Sequence, residues 1–384
     1  MKKNNRVLAI FGNVVNFGQE RSNTEVFKLL VDNGYDVLAL VNERGFHWHL
    51  QPVFDKFHIP YKKIRYPWGI YKTASLFHIL QWGIDILLNN VQFIYYYIKF
   101  KPNFIHCGNE YMFKCLFIPL ILLRAKIIFR LGDEPVIKYK YNFLFWKKVI
   151  VKRVDTLVCV SSFIQGKVKE CGRIGTTRNK DKVIYNFPPT RSISNVDKCK
   201  SDDFVLGFIG QISENKGVEL LVKAAIVLCK KYSNIRFVFA GGTDDNPFAD
   251  KMFTLLQKED IAIRKRISFI GLINNVASFY ENINVCVTPS IYHEALGNVI
   301  VEAKLYRKPS VIFPTGGMPE LIHHCHDGYI CKGKNIDALI AGIEYYIQSP
   351  IKAEEHGEKA FCSIKEMKLD YESYKAQWLD IYAC

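Results

Sequence analysis

Several features that would fix the chemistry of this chain at once are missing from it. Its eleven cysteines are scattered over 384 residues without one Cys-x-x-Cys pair, which reads as reduced, buried or incidental thiols of a cytoplasmic protein. There is no Asp-x-Asp, so a carboxylate pair commonly used to hold a divalent cation is absent. No Gly-x-Gly-x-x-Gly follows the first strand-like run, and a dinucleotide site is not indicated. No run of about 20 apolar residues is uninterrupted. Leu76 to Phe100 is broken by Asp85, Asn89 and Asn90, and Cys115 to Leu123 is too short, so no transmembrane helix is expected. Met1 to Asn5 is polar and unlike a signal peptide. Short repeats and low-complexity segments are also lacking.

What is present is globular, with 49% apolar and 23% charged residues, and a length that suits two domains of roughly 150–200 residues each. Residues 1–200 carry 32 Lys and Arg against 14 Asp and Glu, and residues 201–384 carry 20 against 23. The whole excess of the net +15 therefore lies in the first half, which suits contact with a polyanion, either nucleic acid or an anionic membrane. Pro188 to Asp203, with two prolines, three serines and little apolar content, reads as a linker. The expected organisation is a first domain over 1–188, a linker over 189–203, a second domain over 204–366 and a final helix over 367–384.

Strand-like runs at Arg6–Phe11, Asp36–Val41, Asn103–Cys107, Lys126–Leu131, Thr156–Val160 and Lys182–Tyr185 alternate with glycine turns and helical stretches. The pattern restarts at Phe204–Ile209 and continues through Ile235–Ala240, Ile267–Ile270, Ile283–Val287 and Ser310–Phe313. This predicts an α/β chain of two Rossmann-like domains. Thr288 to Glu302 is the most informative stretch. It predicts a loop broken by Pro289 and Ser290, then a helix from Leu296 onward. A helix starting there leaves the amides near Leu296, Gly297, Asn298 and Val299 unpaired and able to hold a phosphate. Gly297 lets a ligand approach the backbone closely. Glu294 before the helix and Glu302 along it are carboxylates suited to accepting hydrogen bonds from sugar and ribose hydroxyls.

Glu294 to Glu302 resembles the Glu-x7-Glu motif of retaining glycosyltransferases of family 4, which have the GT-B fold. Gly210-Gln211-Ile212-Ser213-Glu214-Asn215-Lys216-Gly217 is similar to that family's Gly-Arg-x-x-x-x-Lys-Gly turn. Gly316-Gly317-Met318-Pro319-Glu320 is similar to its Gly-Gly-x-Pro-Glu turn, and the three occur in the family's order. Phe17-Gly18-Gln19-Glu20-Arg21 resembles a Gly-Gly-x-Glu-Arg loop, with Phe17 for the first glycine. Asn186-Phe187 is similar to the end of the last strand of the family's first domain, with Phe187 where glycine is usual. The resemblance implies two Rossmann-like domains facing a deep interdomain cleft, with the C-terminal helix crossing back onto the first domain. It implies donor binding by Gly18, Arg21, Gly210, Gln211, Lys216, Leu296, Gly297, Asn298, Val299, Glu302, Gly316 and Gly317. It implies catalytic roles for Lys216, Glu294 and His106, the histidine by its position at a strand end. Gln211 stands where the family has arginine and supplies no charge. Either Lys216 and the helix start suffice for the departing diphosphate, or Arg264, Lys265 or Arg266 assists. No metal or other cofactor is expected, because fixed cations and a helix terminus replace the metal in this pattern. His323-His324-Cys325-His326 crowds one turn and fits no zinc spacing.

Basic and aromatic residues interleave over 56–72 and again over 138–153. Such mixtures suit a membrane interface, and single-stranded nucleic acid is the runner-up for them. The Glu-rich donor site speaks against nucleic acid. The expected activity is transfer of a sugar from a UDP- or GDP-sugar to a hydroxyl of a glycan acceptor. That acceptor is expected to be lipid-linked, in surface polysaccharide assembly at the inner face of the cell membrane. A nucleotide-sugar 2-epimerase of the same fold is an alternative, as is an inactive nucleotide-binding partner.

Overall fold

The computed structural model describes residues 5–12, 18–46, 50–67, 69, 75–172, 181–187 and 203–383. The chain divides into two compact units, one of Met1–Tyr185 with Tyr374–Cys384 and one of Asn186–Ser373. The second changeover falls inside the last helix, Tyr371–Tyr382, later than the break expected at residue 366.

In the first unit, β1 (Arg6–Phe11), β2 (Asp36–Asn42), β3 (Tyr61–Ile64), β4 (Phe104–Cys107), β5 (Lys126–Leu131), β6 (Thr156–Cys159) and β7 (Lys182–Val183) form one parallel sheet. Its order is β3-β2-β1-β4-β5-β6-β7. Unbroken apolar runs such as Val7–Ile10 are buried throughout, as parallel strands covered on both faces require. Strand β3 was not anticipated. It lies within the first basic-aromatic stretch and closes the sheet edge, where exposed Lys62 and Lys63 discourage further strand pairing. Two rings of the expected membrane interface are core residues instead. Tyr66 is fully buried and its hydroxyl donates to the Leu40 carbonyl (2.9 Å), and Trp146 is fully buried against Phe129. Trp68, Tyr71 and Lys72 lie outside the described residues.

Leu76–Phe100 is a single 25-residue helix, begun by Ser75, whose hydroxyl accepts from the His78 amide, and ended by Lys101 in the left-handed region. Its mid-helix polar residues Asp85 and Asn89 are buried, beside Phe93. Asp85 is buried and forms ion pairs with Arg44 (3.0 Å) and Arg65 (2.8 Å). Asn89 donates to the Arg65 carbonyl (2.6 Å), and Gln92 accepts from the Arg65 amide (2.8 Å).

His106 does not reach a solvent-facing site, contrary to the expectation that it meets the donor sugar. It lies in β4 with no exposed surface, its Nδ1 2.6 Å from the Tyr382 hydroxyl, beside Phe27 and Trp378. The last helix thus packs its aromatic residues Tyr374, Trp378 and Tyr382 into the first unit, and the histidine is part of that core. A strand alternates its side chains between two faces, and in a sheet covered on both, either face is interior.

The second unit repeats the architecture. Strands β8 (Phe204–Ile209), β9 (Ile235–Ala240), β10 (Ile267–Phe269), β11 (Val285–Thr288), β12 (Ser310–Ile312) and β13 (Gly328–Ile330) form a parallel sheet in the order β10-β9-β8-β11-β12-β13. Helices Val218–Lys231 and Ile336–Ile347 bury leucine, isoleucine and alanine residues against it. The strand order reverses between β8 and β11. Such a switch point opens a crevice at the carboxyl ends of the strands, where ligands of open α/β sheets bind.

Burial and the nearby Arg130 charge push the His106 pKa down from 6.5 to about 3. Between those values the unfolded chain binds the proton more readily. The contribution to stability is therefore fully present above about pH 6.5 and is lost as the pH falls towards 3. Stability of wild type, measured by urea unfolding, is expected to drop between pH 7 and pH 5, and His106→Gln is expected to remove about 2 kcal/mol of that difference. An unchanged pH dependence in the variant would contradict the assignment.

Candidate functional site

The loops that leave β8 and β11 meet at the switch point of the second sheet. Gly210 follows β8 directly, and residues 211–217 lead through a short 3-10 turn, Glu214–Lys216, into helix Val218–Lys231. Gly217 is in the left-handed region (φ 70°), and a Cβ there would overlap the Pro289 carbonyl oxygen. Only glycine brings the two loops this close. The contact continues where the Ile291 amide donates to the Asn215 carbonyl (2.9 Å).

Glu294 lies at the centre of this arrangement. The Lys216 ammonium donates to its Oε1, and the Ser290 hydroxyl donates to the same oxygen at 2.8 Å. Its carbonyl accepts from the Gly317 amide (2.8 Å). Gly316 (φ 60°) packs so tightly against the Glu294 backbone that a Cβ would overlap the carbonyl oxygen. The three motif loops are therefore tied to one another within a single unit.

The helix begins at Asn298, two residues later than predicted, and spans Asn298–Leu305. Gly297 caps it with φ 99°, packed beside Met318 and Ile300. That turn uses the backbone before helical geometry starts, so Leu296 is a buried core residue and the leading amides are those of Asn298 and Val299. Asn186 donates through Nδ2 to the Asn298 Oδ1 (2.9 Å) and orients the first helical residue. One turn on, Glu302 accepts from the Tyr280 hydroxyl (3.1 Å), and Tyr280 stacks on Tyr306. Burial and the nearby Glu302 carboxylate raise the Tyr280 pKa well above its usual value, so it stays a neutral donor. At the other end of the helix, Lys304 is buried and bonded to Asp327 (2.7 Å) and Ser363 (2.9 Å). Burial lowers the Lys304 pKa and Asp327 opposes that shift.

Gln211 is exposed beside Gly210. The substitute cations expected from sequence lie elsewhere. Arg264, Lys265 and Arg266 immediately precede β10, at the amino end of a parallel strand and so away from the carboxyl-end crevice. Arg266 is spent on the carbonyls of Tyr232 and Cys229. A cation missed by sequence reading is Lys334, whose ammonium donates to the Ile291 carbonyl of the site loop (3.3 Å). Ser290 was read only as a loop breaker, and its bond to Glu294 has no sequence signal. Gly18 and Arg21 are exposed at the start of helix Gly18–Asp32 in the first unit. Phe17, before them, lies outside the described residues.

Against this geometry, residues 190–361 match the family model described as Glycosyl transferases group 1, a segment that includes all three motif loops. An uncharacterized glycosyltransferase of Haemophilus influenzae is 23% identical, with 60% of this chain and 65% of the relative aligned. A lipopolysaccharide core biosynthesis mannosyltransferase of Rhizobium leguminosarum is 24% identical over 57% of this chain and 62% of its own length. The alignments thus take in less than two thirds of each of these relatives. An Anabaena protein solved in complex with UDP is similar in fold, with a TM-score of 0.81, 17% identity and coverage of 98% of this chain and 99% of that one. The fold is GT-B, and residues 190–361 are similar to the Glycosyl transferases group 1 model.

Gly316→Ala tests the knot. A left-handed alanine costs about 1–2 kcal/mol, before any movement needed to clear the Glu294 backbone. The expected result is a thermal midpoint lowered by several degrees and weaker nucleotide binding by calorimetry. A variant that melts and binds as wild type does would show that the close approach is dispensable.

Proposed function

We propose that this chain is a retaining glycosyltransferase that moves a sugar from a UDP- or GDP-sugar to a hydroxyl of a glycan acceptor in surface polysaccharide assembly. The observation that carries the reading is the gathering of Lys216, Glu294, the head of helix Asn298–Leu305 and Gly316 at one switch point. The UDP complex of the Anabaena neighbour and the lipopolysaccharide role of the Rhizobium relative support the donor class and the acceptor setting.

The donor diphosphate lies at the amides of Asn298 and Val299, where the helix dipole favours an anion. A lysine ammonium has three donors, of which Glu294 takes one, so Lys216 can serve Glu294 and phosphate oxygens together. Glu302, aimed by Tyr280, accepts from the ribose hydroxyls, and Glu294 from those of the sugar. In the reaction the bond between the anomeric carbon and the diphosphate oxygen breaks, and the acceptor hydroxyl bonds to that carbon on the same face. The hydroxyl proton passes to the departing phosphate, and the nucleoside diphosphate leaves. No side chain serves as nucleophile. Lys216 and the helix amides stabilise the charge that grows on the leaving group. The acceptor belongs to the first unit, where a lipid-linked glycan suits the basic surface and peripheral membrane contact.

A thermal-shift screen of nucleotide-sugars is expected to find one donor that stabilises the protein by about 2.7 kcal/mol at 100 times its dissociation constant. Silence across UDP- and GDP-sugars would remove the reading. Lys216→Ala is expected to lower kcat by about 10²–10³, and transfer is expected to continue in a metal chelator. Full turnover by Lys216→Ala would refute the leaving-group role.

A further inference from the structure

The Leu76–Phe100 helix carries its polarity the wrong way round for a protein surrounded by water. Its fully buried residues are Asp85, Asn89 and Phe93, and Gln92 beside them is half-buried and bonded to the Arg65 amide. Its outward residues include Phe77, Leu80, Ile84, Leu87, Val91 and Ile98, all exposed, with Phe77 at 71% and Leu87 and Ile98 at 63%. Their spacing of three, four or seven places them along one stripe of the helix. From Phe77 to Ile98 that stripe is about 32 Å long. Between Leu76 and Ile98 the only formally charged residue is Asp85, and it is buried.

The stripe continues onto a neighbouring element. Asn90 donates to the Cys115 carbonyl (2.8 Å) and Trp82 to the Tyr111 hydroxyl (3.2 Å), which fixes the helix beside residues 110–122. There helix Phe117–Leu122 exposes Ile118, Ile121 and Leu122, the last at 74%. Phe117 meets Phe145, and near that segment Tyr139 and Tyr141 are exposed and stacked (5.7 Å). Apolar surface this extensive marks a docking face.

We infer that this face is where the protein lies flat on an anionic lipid membrane, with the long helix in the plane of the interface. Charge selects the occupant. Residues 76–153 hold twelve Lys and Arg against four Asp and Glu, and Lys99, Lys138, Lys140, Lys147 and Lys148 are exposed there. A second copy docked isologously would set two basic faces against each other. An anionic bilayer complements the charge and accepts the apolar stripe and the tyrosines at headgroup level. No helix among the described residues is long and apolar enough to cross a membrane, and the inward polar side of this one is bonded to protein, so it lies on the bilayer. The inference deepens the proposed function, on which it rests for a lipid-linked acceptor; the docking itself is measurable separately.

The test is flotation of the full chain with vesicles of phosphatidylglycerol and phosphatidylcholine at 0.1 M and 1 M NaCl, with UDP affinity measured in parallel. Wild type is expected to float at both salts, since apolar burial escapes the screening that weakens surface charge. The triple variant Leu80→Glu, Leu87→Glu, Val91→Glu is expected to lose at least about tenfold in bound fraction at both salts while keeping its UDP affinity. Leu87→Gln and Ile98→Gln, each alone and milder for folding, are expected to move the same way by a few fold. Lys147→Glu with Lys148→Glu is expected to weaken binding at 0.1 M only. The inference is overturned if the triple variant floats as wild type does, or if 1 M NaCl releases wild type completely. It is equally overturned if wild type ignores vesicles and is a dimer that the triple variant turns into monomers. Flotation without nucleotide binding would sink the proposed function and leave the docking face standing; nucleotide binding without flotation would do the reverse.

Discussion

The switch-point site of the second unit depends on one residue being held from both its ends. The Glu294 carbonyl accepts from the Gly317 amide and lies hard against Gly316, while its carboxylate takes the Lys216 ammonium and the Ser290 hydroxyl. Three loops that are distant in sequence thereby share one anchor. The sheet explains why they can. The strand order reverses between β8 and β11, so the loops after these strands emerge side by side at the carboxyl edge. Glycines at 217 and 316 then allow backbone to touch backbone, which any side chain would prevent.

Much of this was legible in the sequence, for identifiable reasons. Parallel strands buried on both faces are written as nearly continuous apolar runs, and those of β1, β2, β8 and β11 stand out. The motif glycines punctuate strand ends, so the sequence itself marks the loops. The helix start was misread by two residues because Leu296 fits a helical apolar pattern, and nothing in the pattern reveals that Gly297 turns left-handed first. His106 was misread because strand-end position says nothing about which side of a two-sided core a ring enters, and Tyr382, its partner, is 276 residues away. The cations proposed to replace arginine at Gln211 were chosen by composition alone, and the topology puts them at the opposite edge of the sheet.

The long helix of the first unit was obscured for a different reason. Periodicity arguments assume that the apolar side of a helix faces protein. Here Asp85, Asn89 and Asn90 looked like interruptions of an apolar run, yet they are the side that packs. Asp85 bridges Arg44 and Arg65, and the asparagines reach backbone carbonyls. A buried carboxylate between two arginines is tolerable because its charge is matched and its oxygens are bonded. That polar inner seam leaves the leucines and isoleucines pointing outward.

Lys304, sealed between Asp327 and Ser363, moors the far end of the helix whose near end carries the Asn298 and Val299 amides. Removing either partner of such a buried pair typically costs about 3–5 kcal/mol, so this end of the rod is firmly held. Any change in what the crevice accepts then falls to the turns around the rod, and the anchored segment keeps its place.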